Sequence, residues 1–122
     1  MKGDLVMRKV KVYNQTRCVQ ILSEAGVASD WLMRLKGLLG YSSLAAGKGL
    51  ILIPCHSVHT IGMNFTIDVA FVDSSNEIIF LIDHMKPWRF SPIIRRSAFV
   101  IEAAAGEFKK TGTVVGDRLE LA

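Results

Sequence analysis

Two short runs, Leu50-Ile51-Leu52-Ile53 and Ile67-Asp68-Val69-Ala70-Phe71-Val72, restrict the possible folds of this chain more than any other feature. Neither alternates polar with apolar residues, so each reads as a strand packed on both faces. The segment between them, Pro54-Cys55-His56-Ser57-Val58-His59-Thr60-Ile61-Gly62-Met63, carries a thiol and two imidazoles, the densest cluster of reactive side chains in the sequence. The strands would hold that loop at one end of a sheet, which makes it the first place to look for a site.

The flanking sequence supplies more strands and little helix. Lys9 to Tyr13 alternates, Asn14-Gln15 has turn chemistry, and Arg17 to Leu22 returns as the second arm of a hairpin. Ser29 or Asp30 caps a short helix whose apolar positions are Trp31, Leu32, Leu35 and Leu38, with Arg34 and Lys36 outward and Gly37 or Gly40 near its stop. Ser74-Ser75-Asn76 turns the second central run into a third strand, Glu77 to Ile82, and the two form a hairpin. Pro87 and Pro92 bracket an irregular segment, Ala98 to Glu102 resumes a strand, Ala103 to Lys110 holds a helical turn, and Asp117 to Leu121 is the last strand. Gly116-Asp117 fits the turn into that strand, Gly for its backbone freedom and Asp as a local hydrogen-bond acceptor. Short strands dominate and no βαβ alternation is read. The expected class is therefore α+β, a small, mostly antiparallel, barrel-like β-sheet with one or two short helices, forming a single domain over residues 1–122.

The apolar runs are far shorter than the roughly 18 to 20 residues of a membrane helix, so no bilayer span is expected. The opening Met1 to Lys9 mixes an acid and cations where a signal peptide needs an apolar core. Two cysteines, Cys18 and Cys55, fit neither a disulfide scaffold nor a paired zinc ribbon, so a reduced, cytoplasmic protein is the expectation. The net charge of +4 is local: Lys86, Arg89, Arg95 and Arg96 fall in a stretch without acids. Such a patch attracts phosphates, acidic proteins or anionic lipid.

A set of residues spread along the chain resembles a known family. These are Arg34-x-x-Gly37-Leu38-Leu39-Gly40, Gly49-Leu50, Pro54-Cys55-x-x-Val58-His59-Thr60, Met63-x-Phe65-x-Ile67-Asp68-Val69-x-Phe71-Val72-Asp73, Pro87-Trp88-Arg89, Ile101-Glu102-x-x-x-Gly106 and Val115-Gly116-Asp117. Together, over about residues 22–121, they resemble the bacterial and archaeal family catalogued as domain of unknown function 192. The resemblance implies a compact, mainly β fold and brings no activity, substrate or catalytic residue with it. The chain departs from the family pattern at Gly62, where an aromatic often stands, and in its short spacing from Met63 to Asp68.

Each candidate group has a structural reading and a chemical one. Cys55, His56 and His59, with Asp68, contain zinc-ligand types, but the ligand count falls short of a closed four-ligand site, so no metal or other cofactor is expected. Cys55 with His56 or His59 as base has the makings of an activated thiol, yet Cys55 ends a strand instead of opening a helix, which favours an inert, buried thiol. Asp68 interrupts an apolar strand and needs partners, expected to be a set of loop amides, a His or an Arg, with Arg89 a candidate and at least two hydrogen bonds near the His59 to Asn64 loop. Trp88 either seals the barrel end, with Arg89 bridging Asp68 or Glu102, or lines a cleft. The reading that joins these observations is a small binding module. It takes an anionic small molecule, or an acidic partner, in a cleft at the barrel end formed by Cys55, His56, His59, Met63, Asp68, Trp88 and Arg89. The alternatives are an enzyme using Cys55 with His56 or His59, and a protein that docks nucleic acid or an acidic protein through residues 86–96.

Overall fold

A computed structural model describes residues 7–122, so the reading of the chain's opening falls largely outside the described residues. Seven strands and two short helices follow in the order β1 (Arg8–Asn14), β2 (Val19–Ala28), α1 (Trp31–Lys36), β3 (Lys48–Leu52), β4 (Ile67–Val72), β5 (Ile78–Met85), β6 (Phe99–Ala104), α2 (Glu107–Lys110) and β7 (Leu119–Leu121). They build one sheet in the order β5-β4-β6-β3-β2-β1-β7. Its pairings are antiparallel except for β2 with β3, which run parallel. The α+β class with a mainly antiparallel sheet is thus as the sequence indicates. The sheet is a curled half-barrel. Its two ends approach each other where Glu77 bridges Arg118, Ile78 N donates to Asp117 O at 2.9 Å and Leu119 N donates to Asn76 O at 2.8 Å.

The parallel pair corrects the expectation that βαβ alternation is absent, because β2, α1 and β3 form one such unit. Parallel neighbours need a long crossover, and residues 29–47 supply it with α1 inside. β2 is also longer than the alternation suggests. Arg17 and Cys18 belong to the turn, where Cys18 has φ +56, and the strand continues through the small, buried Ala25, Gly26 and Ala28 beside β3.

The doubly apolar runs are buried on both faces. All six residues of β4 are buried, as are Leu50, Ile51 and Leu52 of β3. Side chains alternate across the pleat, so Ala70, Val72, Ile51, Ile101 and Ala103 face one core, closed by Phe108 of α2 and Leu119 of β7. Ile67, Val69, Phe71, Leu50, Leu52 and Val100 face the other, closed by Leu38, Val58 and Met63. Antiparallel pairing fixes two acids on opposite sides of this sheet: Asp68 lies opposite Ala103, and Glu102 lies opposite both Val69 and Leu50.

The helix α1 reverses the burial its periodicity suggests. Asp30 caps it, accepting from Leu32 N at 2.8 Å, and Gly37 ends it at φ +51. Leu38 is buried, but Trp31, Leu32 and Leu35 stay 59 to 65% exposed. Arg34, expected outward, turns in and donates from Nη1 to the Pro54 carbonyl at 2.9 Å. Six residues give barely two turns, too short for an apolar stripe to reach the sheet along its length.

Candidate functional site

The loop after β3 leaves the sheet at Pro54 and is held by backbone pairing with the irregular segment after β5. Cys55 N donates to Ala98 O, Val58 N to Ser91 Oγ, Ser91 N to Val58 O, and Ile94 N to His56 O. Thr60, fully buried, joins the two segments. Its hydroxyl donates to Lys86 O at 2.6 Å and accepts from Arg89 N at 2.9 Å, while its backbone pairs with Arg89 O and Trp88 N. Gly62 makes the return at φ +86, a conformation that favours glycine.

Opposite this loop stands α1, and between them lies a cleft of about 540 Å³. Its walls are mainly apolar: Trp31, Leu35, Leu38 and Leu39 on the helix side, Val58, Ile61 and Met63 on the loop side. Cys55, Arg34 and Glu102 contribute polar atoms, and the exposed Lys36, His56 and His59 add more. This volume is in the range of small-molecule sites, which are concave, largely apolar and furnished with a few polar groups.

The carboxyl of Glu102 is the unusual group. It is 3% exposed, and its Oε1 has no hydrogen-bond partner among the described residues. Burial pushes its pKa up to about 7, because a charged carboxylate loses its hydration there. Arg34 Nε is likewise buried without a partner. Gly37 keeps side-chain atoms away from this spot; a Cβ there would stand 3.8 Å from Glu102 Oε1.

The thiol of Cys55 donates to the Ser57 carbonyl at 3.2 Å and makes no hydrogen bond to an imidazole among the described residues. Burial raises its pKa, the nearby Glu102 carboxyl adds to the rise, and Ser57 and Arg34 oppose it. The nitrogen Nδ1 of His59 accepts from Ile61 N at 3.1 Å, so that atom is committed to the loop's own backbone. These features oppose an activated thiolate. No group of three or more His, Cys, Asp or Glu side chains is placed to hold a metal ion among the described residues.

Of the seven residues the sequence singles out, Cys55, His56, His59 and Met63 line the cleft, and Asp68, Trp88 and Arg89 do not. Asp68 has the amide donors expected of it, with the His84 imidazole Nδ1 at 3.9 Å, but they come from a different part of the chain. Its side chain lies on the other face of the sheet and accepts from three backbone N–H groups, those of His84 at 3.0 Å, Gly106 at 3.0 Å and Phe108 at 3.2 Å. Neither the His59 to Asn64 loop nor Arg89 meets it. Trp88 does not seal the barrel: it sits at φ +64 and is 62% exposed, and Arg89 beside it is exposed too. Their backbone braces the loop through Thr60, and neither side chain lines the cleft. Trp31, Arg34, Leu35 and Glu102 are among the cleft residues that sequence reasoning missed. For Glu102 the signal was present, a single acid inside the apolar run Phe99 to Ala104, the same argument that picked out Asp68.

Comparison with known proteins agrees with this architecture. A crystal structure of a protein of unknown function from Novosphingobium aromaticivorans superposes with a TM-score of 0.82 at 18% identity, covering 97% of this chain and 87% of that one. Another, of a candidate transcription regulator from Sinorhizobium meliloti, superposes with a TM-score of 0.81 at 25% identity, covering 98% of both chains. The UPF0127 protein PF1050 of Pyrococcus furiosus is 39% identical over 64 residues, 52% of this chain and 54% of that protein. The match thus spans about half the length of this curated relative. No helix among the described residues is long and apolar enough to cross a membrane. Residues 11–121 match the profile of the DUF192 family, described as "Uncharacterized ACR", and the chain belongs to that family.

Proposed function

We propose that this chain is a one-domain binding module whose ligand is a small molecule with an apolar body, seated between α1 and the Pro54 to Met63 loop. The observation that carries this reading is the cleft itself, with the half-exposed apolar side chains of α1 facing Val58 and Met63. Apolar side chains left open to water along a concave wall gain free energy when a ligand covers them. An anionic group on such a ligand would meet the rim, where Lys36, His56 and His59 are exposed. The cation expected of Arg89 is therefore supplied from the helix. A naphthalene sulfonate dye tests this: its fluorescence should rise to saturation at one dye per chain, and Leu35→Glu or Val58→Asp should abolish the rise. No saturable binding, or binding indifferent to both substitutions, would overturn the reading.

A second reading rests on a different surface. Trp88, Phe90 and Ile93 are 62, 77 and 70% exposed among the exposed cations Lys86, Arg89, Arg95 and Arg96. Flat aromatic faces interleaved with cations suit unstacked bases. The likeness to a candidate transcription regulator points the same way. Single-stranded oligonucleotides should then bind with strong salt dependence and lose affinity in Trp88→Ala and Phe90→Ala. Binding that ignores both substitutions would remove this reading.

A further inference from the structure

We infer that the inner end of the cleft receives an uncharged group that both donates and accepts hydrogen bonds, such as a carboxamide or a peptide unit. The inference rests on the proposed binding cleft and names what its deepest polar contact recognises. Two buried polar atoms there lack partners among the described residues, the acceptor Glu102 Oε1 and the donor Arg34 Nε. A buried polar atom without a partner is costly, and a ligand that satisfies it removes that cost on binding.

The two atoms belong to one end of one cleft. Both side chains line it, and both act electrostatically on the same thiol, Cys55. They do not satisfy each other, since each is left unpaired. Arg34 is not free to swing toward the carboxyl, because Nη1 is held by the Pro54 carbonyl. Gly37 presents no side chain over Glu102 Oε1, where a Cβ would stand 3.8 Å away.

Charge decides between ligand classes. A ligand ammonium would suit Glu102 but bring a cation against Arg34, and a carboxylate would do the reverse. A neutral amide places its N–H toward Glu102 and its carbonyl toward Arg34 Nε without a like-charge contact. Its alkyl part then extends along Leu35, Val58 and Met63, and any anionic outer end remains at the rim.

Three probes of matched length separate the possibilities: hexanamide, methyl hexanoate, which lacks the N–H, and hexylammonium, which lacks the acceptor. Binding is read from the shifts of the Gly37, Ser57 and Val58 backbone amides. Hexanamide should bind about fivefold to tenfold tighter than either of the others, the worth of one or two satisfied hydrogen bonds. Glu102→Leu, which keeps an apolar floor, should erase the preference over methyl hexanoate while all three still bind. Equal affinities, or a preference for hexylammonium, would overturn the amide inference and leave the binding cleft standing. Failure of all three probes to shift the cleft amides would overturn both.

Discussion

Glu102 and Asp68 are the same kind of residue in the same kind of strand, yet they meet opposite fates one register apart. Asp68 collects three backbone donors and Glu102 Oε1 collects none. Replacing Asp68 by Ala strands those donors in the core, so a loss of about 3 kcal/mol is expected in urea denaturation, with Asp68→Asn costing less. A loss under about 0.5 kcal/mol would contradict the role given to this carboxylate. Glu102 should act in the other direction. Its folded pKa of about 7 exceeds the ordinary 4.5, so as pH rises through that window the unfolded chain sheds its proton first. Stability should therefore fall between pH 4.5 and 7, by about 3 kcal/mol, and Glu102→Gln should flatten that slope. Parallel curves for the two proteins would refute it. The need was read from the sequence for Asp68 and missed for Glu102, although a lone carboxylate in an apolar run must be met in either strand. Amide partners for Asp68 were legible, but which amides was not, because their positions depend on topology and not on residue identity.

At the scale of elements, the strands and turns were legible and the helix was misread in its burial. Gly116 and Asp117 illustrate the first: Gly116 adopts φ +99, and the Asp117 carboxylate accepts from Val114 N, Asn14 Nδ2 and Arg17 Nε at 3.0 to 3.1 Å. The spacing of Trp31, Leu32 and Leu35 correctly announced a helix, but an apolar stripe signals only that something should cover it. In α1 that cover is not the protein's own core, and the tryptophan that lines the cleft is Trp31, not Trp88. Thr60 carries a prediction at this scale, because it ties the cleft loop to the segment behind it. Thr60→Val keeps the shape and removes the hydroxyl, so it should destabilise the protein by about 2 kcal/mol and speed amide exchange at Arg89. Unchanged exchange at Arg89 would show that the two segments are joined by other means.

For the molecule as a whole, the curl of the sheet depends on bringing β7 back beside the start of β5, and Asp117 stands at that junction. Burial works against its ionisation, but Arg17, Asn14 and the Val114 N–H outweigh burial and hold its pKa below the ordinary carboxylate value. Its contribution to stability is complete above the unfolded pKa and is lost as the pH falls through the folded one. Asp117→Asn should therefore narrow the gap between stability at pH 6 and at pH 3, measured by urea denaturation at both. A gap as wide as that of the unaltered protein would count against it.

The two walls of the cleft differ in kind: Glu102 sits on β6, held between β3 and β4, whereas α1 is a six-residue helix with no buried residue. A strand bonded on both sides opens only with the sheet, and a helix this short frays far sooner. The cleft thus has a floor bonded on both sides and a wall tied down by few contacts, the Arg34 to Pro54 hydrogen bond among them. Ligand departure should follow the lifting of α1, so removing its cap with Asp30→Ala should shorten residence time far more than it lowers the melting temperature.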